Sequence, residues 1–222
     1  MSFADFMTAK SSIKPNNLPT LDYEKRLWSR GIQTVAGLDE AGRGCWAGPV
    51  AAAAVILPPE KGIQKKLAGV RDSKQMSAVQ RTLWAEKIRC TALCNGVGFS
   101  SSAEIDQLGI VRATCLAMER ALACLRVEPQ FLLLDYLLLP AVDLPQMGLV
   151  HGDGLVLSIA AASILAKTSR DEWMAAMESQ YPGYGFASNK GYGTLQHRMN
   201  LKRLGVSAIH RSSFAPVRQM LV

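Results

Sequence analysis

The sequence lacks paired cysteines, a long apolar run and, towards its C-terminus, any acidic residue. Its five cysteines are odd in number and include no CxxC pair. Cys90 and Cys94 have the spacing of one helical face, but no histidine nearby completes a zinc set. These absences argue against a disulfide framework and a zinc site, and we expect buried, reduced thiols.

The sequence also lacks segments that would direct it to or through a membrane. No apolar run approaches the roughly 18 residues needed to cross a bilayer. The N-terminus has no basic start followed by a long apolar core, which a signal peptide requires. We therefore expect a soluble, cytoplasmic protein with no membrane partner.

Acidic residues are missing from the last part of the chain, because no Asp or Glu follows Glu178. The whole chain has a formal net charge of +7. A basic end beside an acid-bearing body indicates a polyanionic partner, although a solvated face without a partner has the same composition. The basic residues of this end are Lys190, Arg198, Lys202, Arg203, Arg211 and Arg218.

The chain has 222 residues, of which 49% are hydrophobic and 19% charged, so it can bury a sizeable core. We expect a loose lead-in over residues 1–19 and a main domain over residues 20–180. Residues 181–222 form a basic helical segment that is expected to pack on the main domain and contact the substrate.

Apolar patterning predicts an α/β fold. Thr20, Ser77 and Ser102 are predicted to cap helices, and further helices are predicted to begin at Ile110, Ser158 and Thr194. Short apolar runs bounded by turn residues predict strands at 35–38, 49–57, 94–99, 131–134 and, more weakly, 149–150. The run at 131–134 is continuously apolar, as expected of a strand that is covered on both faces.

Carboxylates follow three of these strands. Asp39, Asp135 and Asp153 each end an apolar run, and Glu40 adjoins the first. Any one such Asp is also a common turn former or cap, but neighbouring strand ends share one edge of a sheet, where ligand clefts form. Four carboxylates suit Mg²⁺ or Mn²⁺. Two such ions can activate a water and stabilise the leaving oxygen during attack on phosphorus.

A glycine turn, Gly42-Arg43-Gly44, follows the first acidic pair directly. The glycines permit a bend, and their missing side chains allow a ligand to approach closely. Arg43 is the only basic partner within this motif, so repulsion between the acids remains unless metal binds. The pattern predicts a divalent-metal site beneath a phosphate-bearing polymer.

Several long motifs, in order, resemble the ribonuclease HII family: GLDEAGRG, AGPVAAAAVIL, DSK, an apolar strand ending in Asp, GD before SIAAASILAKTSRD, and NKGYGT. The resemblance runs from about Thr20 to Val217. It implies a ribonuclease H-like fold, with a central mixed β-sheet flanked by helices and a small helical C-terminal part. It also implies endonucleolytic cleavage of RNA in RNA–DNA hybrids, and cleavage 5′ to ribonucleotides embedded in duplex DNA, which leaves 3′-hydroxyl and 5′-phosphate ends.

The resemblance assigns roles residue by residue. It makes Asp39, Glu40, Asp135 and Asp153 the catalytic carboxylates that hold metal. It implies that the turn Gly42–Gly44 senses the ribose 2′-hydroxyl and that Tyr192 packs on the sugar beside the scissile bond. Weaker candidates for phosphate contacts are Lys74, Ser163 and Lys167, whereas Asp171 is interpreted as structural. We expect a monomer whose partners are hybrid duplexes and ribonucleotide-containing DNA.

The chain departs from the family pattern at His151, where Lys is frequent, and at Gly154, where Ser is frequent. Tyr136-Leu137 also replaces a frequent Gly-Asn after Asp135. Two other functions stay open. A related nuclease could act on DNA, in which case it would cut all-DNA duplex as well. A catalytically silent nucleic-acid binder would show salt-sensitive binding without needing the acids.

Overall fold

A five-stranded mixed sheet forms the centre of the protein, in a computed structural model that describes residues 18–221. The strands are β1 (Val35–Ala41), β2 (Val50–Ile56), β3 (Cys94–Ser100), β4 (Phe131–Asp135) and β5 (Gln146–Leu149). Their spatial order is β3-β2-β1-β4-β5. β1, β2 and β3 pair antiparallel, whereas β1, β4 and β5 pair parallel. The predicted lead-in lies outside the described residues, except for residues 18 and 19.

Helices cover both faces of this sheet and form the C-terminal part. They are α1 (Asp22–Trp28), α2 (Ile63–Lys66), α3 (Ala78–Thr91), α4 (Ser102–Leu108), α5 (Ile110–Ala123), α6 (Leu157–Gln180), α7 (Phe186–Asn189), α8 (Leu195–Leu204) and α9 (Ala215–Arg218). Single 3₁₀ turns occupy Ser73–Gln75 and Gly152–Gly154. Among the described residues, no helix combines the length and the apolarity of a membrane span.

Small residues in the strands let α5 and α6 approach the sheet closely. A Cβ on Gly37 of β1 would lie 2.3 Å from the main chain of Ser158 in α6. Cβ atoms on Gly96 and Gly98 of β3 would lie 2.2 and 2.3 Å from carbonyl oxygens of α5. β2, which contains four alanines, is buried along its whole length. The predicted α/β architecture, a mixed sheet flanked by helices with a helical C-terminal part, is confirmed.

Several local predictions are confirmed and others are wrong. Ser77 caps α3 and forms a capping box with Gln80. The cap of α4 is Ser101, one residue before the predicted Ser102, because Glu104 completes a capping box with Ser101. Leu83 on α3 is apolar but 62% exposed.

The C-terminal part packs its own small core around Phe186, together with Ala47, Met174, Tyr184 and Leu201. Phe186 is the first residue of α7, a short helix that precedes the loop carrying Tyr192. The expectation of buried thiols holds for three cysteines but is wrong for Cys90 and Cys124, which are exposed.

Candidate active site

Three aspartates from distant parts of the chain meet at one end of the sheet. Leu38 of β1 lies beside Leu134 of β4 in parallel register, so the next residues, Asp39 and Asp135, reach the same edge. Asp153 joins them from the 3₁₀ turn Gly152–Gly154. One carboxylate oxygen from each aspartate lies within 4.8 Å of the others. The structure therefore brings together three of the four predicted acids.

Glu40 lies outside this group, because it follows Asp39 within β1 and successive strand residues face opposite sides of the sheet. β1 thus continues through both acids to Ala41, whereas the sequence predicts a strand over 35–38. The Glu40 Oε1 atom accepts a hydrogen bond from Arg43 Nη1 at 3.2 Å. Its Oε2 atom is buried and has no hydrogen-bond partner among the described residues. A buried carboxylate oxygen without a partner is costly, and a cation would satisfy it.

Burial and mutual repulsion disfavour the ionised form of these acids. Burial raises the pKa of Asp39 well above its usual value, and Glu40 and Asp135 raise it further. The Ser163 hydroxyl and the Glu40 N–H oppose this shift, since both stabilise the ionised carboxylate. Burial also raises the pKa of Glu40 and of Asp135, against the effect of the Arg43 charge on Glu40. This all-oxygen donor set suits a hard divalent cation.

Two of the predicted phosphate contacts lie beside the aspartates. Lys74 Nζ is 3.6 Å from Asp153 Oδ2 on an exposed side chain. Partial burial lowers the pKa of Lys74, but Asp153 and Asp72 outweigh it, so the pKa is raised and the ammonium stays charged. Ser163 on α6 shares a 2.9 Å hydrogen bond with the hydroxyl of Ser73.

Lys167 lies apart from the carboxylate group. Its Nζ donates to Asp171 Oδ1 at 2.7 Å, one helical turn further along α6. The same Nζ lies 5.3 Å from the centre of the Tyr192 ring. Arg81 Nη2 is also 3.5 Å from Asp171 Oδ2. The geometry therefore joins Lys167 to Tyr192, and it supports the structural interpretation of Asp171.

The two glycines of the turn have different surroundings. Gly42 has a φ of +93°, and a Cβ there would lie 1.9 Å from Nε of the buried Arg170. A Cβ on Gly44 would meet nothing within 4 Å. Space for an approaching ligand thus exists at Gly44, whereas the space at Gly42 is filled by the protein.

Tyr192 is 40% exposed, in the loop between α7 and α8. The glycines beside it permit close packing of the main chain. A Cβ on Gly191 would lie 2.3 Å from the carbonyl oxygen of Ala47, and one on Gly193 would lie 2.4 Å from the Trp46 ring. Burial raises the pKa of the Tyr192 hydroxyl to about 12, so it stays protonated.

Two arginines whose roles the sequence does not indicate hold this region together. Arg170 and Arg211 are both fully buried, with 0% of their surface exposed. Arg170 donates to carbonyl oxygens of Ala47, Pro49 and Lys190. Arg211 belongs to the basic end that predicts a polyanionic partner, but its burial makes it unable to contact one, so the prediction is wrong for this residue. Nothing in the local sequence distinguishes a buried arginine from a solvated one.

A mixed sheet with a buried aspartate group where β1 and β4 meet defines the class of ribonuclease H-like hydrolases. The family model for ribonuclease HII matches residues 36–217. A ribonuclease HII from Synechococcus sp. (strain JA-3-3Ab) is 54% identical over 202 residues, which cover 91% of this chain and 90% of the relative. The chain belongs to the ribonuclease HII family and is an endoribonuclease that acts on RNA–DNA hybrids.

Solved structures share the fold. The ribonuclease H2 from Pyrococcus horikoshii OT3 has a TM-score of 0.70 at 24% identity, covering 84% of this chain and 96% of that one. Bst-RNase HIII in complex with Mn²⁺ has a TM-score of 0.69 at 20% identity, covering 98% of this chain and 78% of that one.

Proposed function

We propose that this protein cleaves 5′ to ribonucleotides embedded in duplex DNA, in addition to the RNA strand of hybrids, and leaves 3′-hydroxyl and 5′-phosphate ends. The observation that carries the proposal is the aspartate group, whose oxygens lie within 4.8 Å of one another, with the glycine turn directly after it in sequence. A ribose 2′-hydroxyl is the group that distinguishes RNA from DNA at a single position.

Asp39, Asp135 and Asp153 would hold Mg²⁺ or Mn²⁺, and Glu40 would supply the fourth carboxylate. The buried, unpartnered Glu40 Oε2 and the raised pKa values of the cluster support this assignment. When bound, divalent ions activate the attacking water and stabilise the leaving oxygen. Bst-RNase HIII is described in complex with Mn²⁺, which makes Mn²⁺ a suitable ion to test first.

The surrounding residues would position the substrate. Gly44 leaves space for a sugar hydroxyl, and Arg43 is held beside it by Glu40. Tyr192 presents an exposed ring on which a sugar can pack. Lys74 and Ser163 would contact phosphate near the aspartates, whereas Lys167 would do so near Tyr192.

The basic segment 181–222 would dock the duplex on the main domain, residues 20–180. Arg198, Lys202 and Arg203 are exposed on α8 and suited to phosphate contacts. Arg211 is excluded from this role by its burial. We place the enzyme in the cytoplasm as a monomer, in keeping with its reduced cysteines.

A cleavage assay on three duplexes tests the function. The substrates are all-DNA duplex, DNA with one ribonucleotide, and RNA–DNA hybrid, each with and without Mn²⁺ or Mg²⁺. We expect metal-dependent cleavage of the last two, with a 3′-hydroxyl end 5′ to the ribonucleotide. Equal cleavage of all-DNA duplex would favour the related DNA nuclease, and binding without cleavage would favour the silent binder.

A matched pair of variants tests the site. Asp153→Asn should abolish metal-dependent cleavage and leave the circular dichroism spectrum unchanged. Asp143→Asn removes a carboxylate from an exposed position between β4 and β5 and should keep full activity. An active Asp153→Asn variant would remove Asp153 from the site.

A further inference from the structure

Two buried histidines form a hydrogen-bonded chain behind Tyr192. His197 on α8 and His210 beyond it are 0% and 4% exposed, and their Nε2 atoms are 3.1 Å apart. The Ser207 main-chain N–H donates to His210 Nδ1 at 3.1 Å, so this nitrogen is an acceptor and the His210 proton is on Nε2. His210 therefore donates to His197, whose own proton is on Nδ1. That proton is donated to the Tyr192 carbonyl oxygen at 2.8 Å.

The chain requires both rings to be neutral. A second proton on His197 would place two N–H groups against each other across the 3.1 Å gap between the Nε2 atoms. A second proton on His210 would be on Nδ1 and would oppose the Ser207 main-chain N–H, also at 3.1 Å. Burial lowers the pKa of both rings, that of His210 to about 4, so both stay neutral at physiological pH. The rings are enclosed by Tyr184 and Phe186, with Trp46 against His197.

Arg211, the residue after His210, reaches the glycine turn. Its guanidinium donates to the carbonyl oxygens of Gly42 at 2.7 Å, Arg43 at 2.8 Å and Gly48 at 3.0 Å. No carboxylate lies within ion-pair distance of it in the described part of the chain. A buried charge that is bound by three carbonyls of one loop fixes the main chain of that loop.

Residues 207–211, here called the C-terminal clip, are themselves firmly attached. The main-chain N–H of Arg211 donates to the Trp46 carbonyl at 2.8 Å, and that of Gly48 donates to the Ile209 carbonyl at 2.8 Å. Just beyond the clip, the carboxylate of Asp106 on α4 accepts main-chain N–H bonds from Ser212 and Ser213, each at 2.9 Å. The clip is therefore anchored to two other parts of the protein.

We propose that His197, His210 and Arg211 are positioning residues of the substrate site. The histidine chain fixes the main chain at Tyr192, and Arg211 fixes the turn Gly42–Gly44. The inference rests on the proposed function, which gives those two elements their substrate roles. Neither element belongs to a strand or a helix, so each depends on outside contacts for its position. Losing contacts that bind the substrate and the transition state equally raises KM and leaves kcat unchanged.

The arginine is tested by steady-state kinetics on DNA with one ribonucleotide. Arg211→Ala should raise KM about tenfold or more and change kcat per folded molecule much less, because the metal-binding carboxylates are untouched. Millimolar guanidinium should restore part of the loss. Arg126→Ala, which removes an exposed charge before β4, is the control and should keep the wild-type KM. A merely structural arginine would lower the folded fraction and leave KM unchanged, which would overturn the role of Arg211.

The histidine chain is tested on the wild-type protein and on two variants of matched shape. Nitrogen-15 NMR at neutral pH should show His197 protonated on Nδ1 and His210 on Nε2. His197→Leu should raise KM. His197→Asn, whose amide nitrogen can replace Nδ1 as the donor to the Tyr192 carbonyl, should keep KM close to that of the wild type. The role of the histidine chain would be overturned if NMR showed the same tautomer for both histidines or a charged ring. Equal KM values for His197→Leu and His197→Asn would also overturn it.

Different measurements would contradict the proposed function and the positioning role. If the wild-type protein does not prefer the ribonucleotide-containing duplex to all-DNA duplex, the proposed function fails. If the wild type shows that preference and both Arg211→Ala and His197→Leu retain its KM, only the positioning proposal fails. Fluorescence anisotropy in EDTA compares the affinities of each protein for the two duplexes without metal. The wild type should bind the ribonucleotide-containing duplex more tightly than all-DNA duplex, and the variants should lose this preference.

Discussion

The carboxylate of Glu24 accepts a hydrogen bond from the main-chain N–H of Ser158 at 3.0 Å, across 134 positions of sequence. Ser158 lies in the first turn of α6, where main-chain N–H groups have no partner within the helix, and the N-cap residue Val156 provides no side-chain cap. Glu24 on α1 thus caps the helix that carries Ser163, Lys167 and Arg170. No local pattern in the sequence indicates this contact.

Burial of Glu24 makes the stability of the protein depend on pH. Desolvation raises the pKa of Glu24 to about 7, more than the Ser158 hydrogen bonds lower it. Because the folded state binds this proton more tightly, the stabilisation is present at low pH and is lost as pH rises from about 4.5 to 7. Glu24→Gln keeps the acceptor oxygen without a charge. We expect it to raise the free energy of unfolding by about 2–3 kcal/mol at pH 8 and by little at pH 4.

Urea unfolding of both proteins at the two pH values measures this difference. Subtracting wild type from variant cancels the contribution of the other titrating acids. Glu86→Gln removes an exposed carboxylate on α3 and should show no such pH dependence. An equal effect of Glu24→Gln at pH 4 and pH 8 would contradict a pKa raised by burial.

Tyr136, directly after Asp135, has a left-handed main chain with a φ of 65° and an exposed side chain. A non-glycine residue in this region is strained by contact between Cβ and the main chain. Tyr136→Gly should relieve this strain, but glycine also has more conformational freedom in the unfolded chain, which offsets part of the gain. We expect a net stabilisation of about 0.5–1 kcal/mol. Thermal unfolding measures the gain. Tyr136→Ala retains the Cβ and should show none, so an equal gain from alanine would contradict the strain argument.

The sequence was sufficient to predict features that are set by local pattern. The apolar run before Asp135 is a strand buried on both faces, as its continuous hydrophobicity predicts. Ser77 caps α3 because its side chain and that of Gln80 satisfy each other's main-chain N–H groups. The aspartates could be predicted to converge because each lies at or just beyond the end of an apolar run that predicts a strand.

Contacts between distant residues could not be predicted in this way. Arg211 carries the same charge as Lys202, yet one is buried against carbonyl oxygens and the other is exposed. The partner of His197 is His210, whose position depends on how the clip packs on residues 46–48. Such assignments depend on tertiary packing, which leaves no periodicity in the sequence.

Repulsion among the aspartates should make the metal-free protein less stable than it would otherwise be. Asp135→Asn keeps an acceptor for the Gly152 N–H, which donates to Asp135 Oδ1 at 2.8 Å, and removes one charge from the group. Without metal, the variant should unfold about 2–4 °C above the wild type, as expected for about 1 kcal/mol in a protein of this size. Millimolar Mn²⁺ should raise the Tm of the wild type by preferential binding to the folded state and raise that of the variant less.

Differential scanning calorimetry with EDTA or Mn²⁺ measures these four Tm values. Asp143→Asn, outside the cluster, should match the wild type under both conditions. A variant that is less stable without metal, yet gains as much from Mn²⁺ as the wild type, would show that Asp135 neither repels its neighbours nor binds the ion.

Tyr192 offers a ring for packing and a hydroxyl for hydrogen bonding, and the structure favours the ring. Its face lies 5.3 Å from the Lys167 ammonium and 5.9 Å from the Arg170 guanidinium, which hold it in place from the protein side. Tyr192→Phe should therefore retain cleavage at a lone ribonucleotide within about threefold, whereas Tyr192→Ala should lose about tenfold or more, comparable to the loss of one stacking contact. Single-turnover cleavage measures both. If Phe is as impaired as Ala, the hydroxyl carries the function and the packing role is wrong; if neither is impaired, Tyr192 has no part in the substrate site.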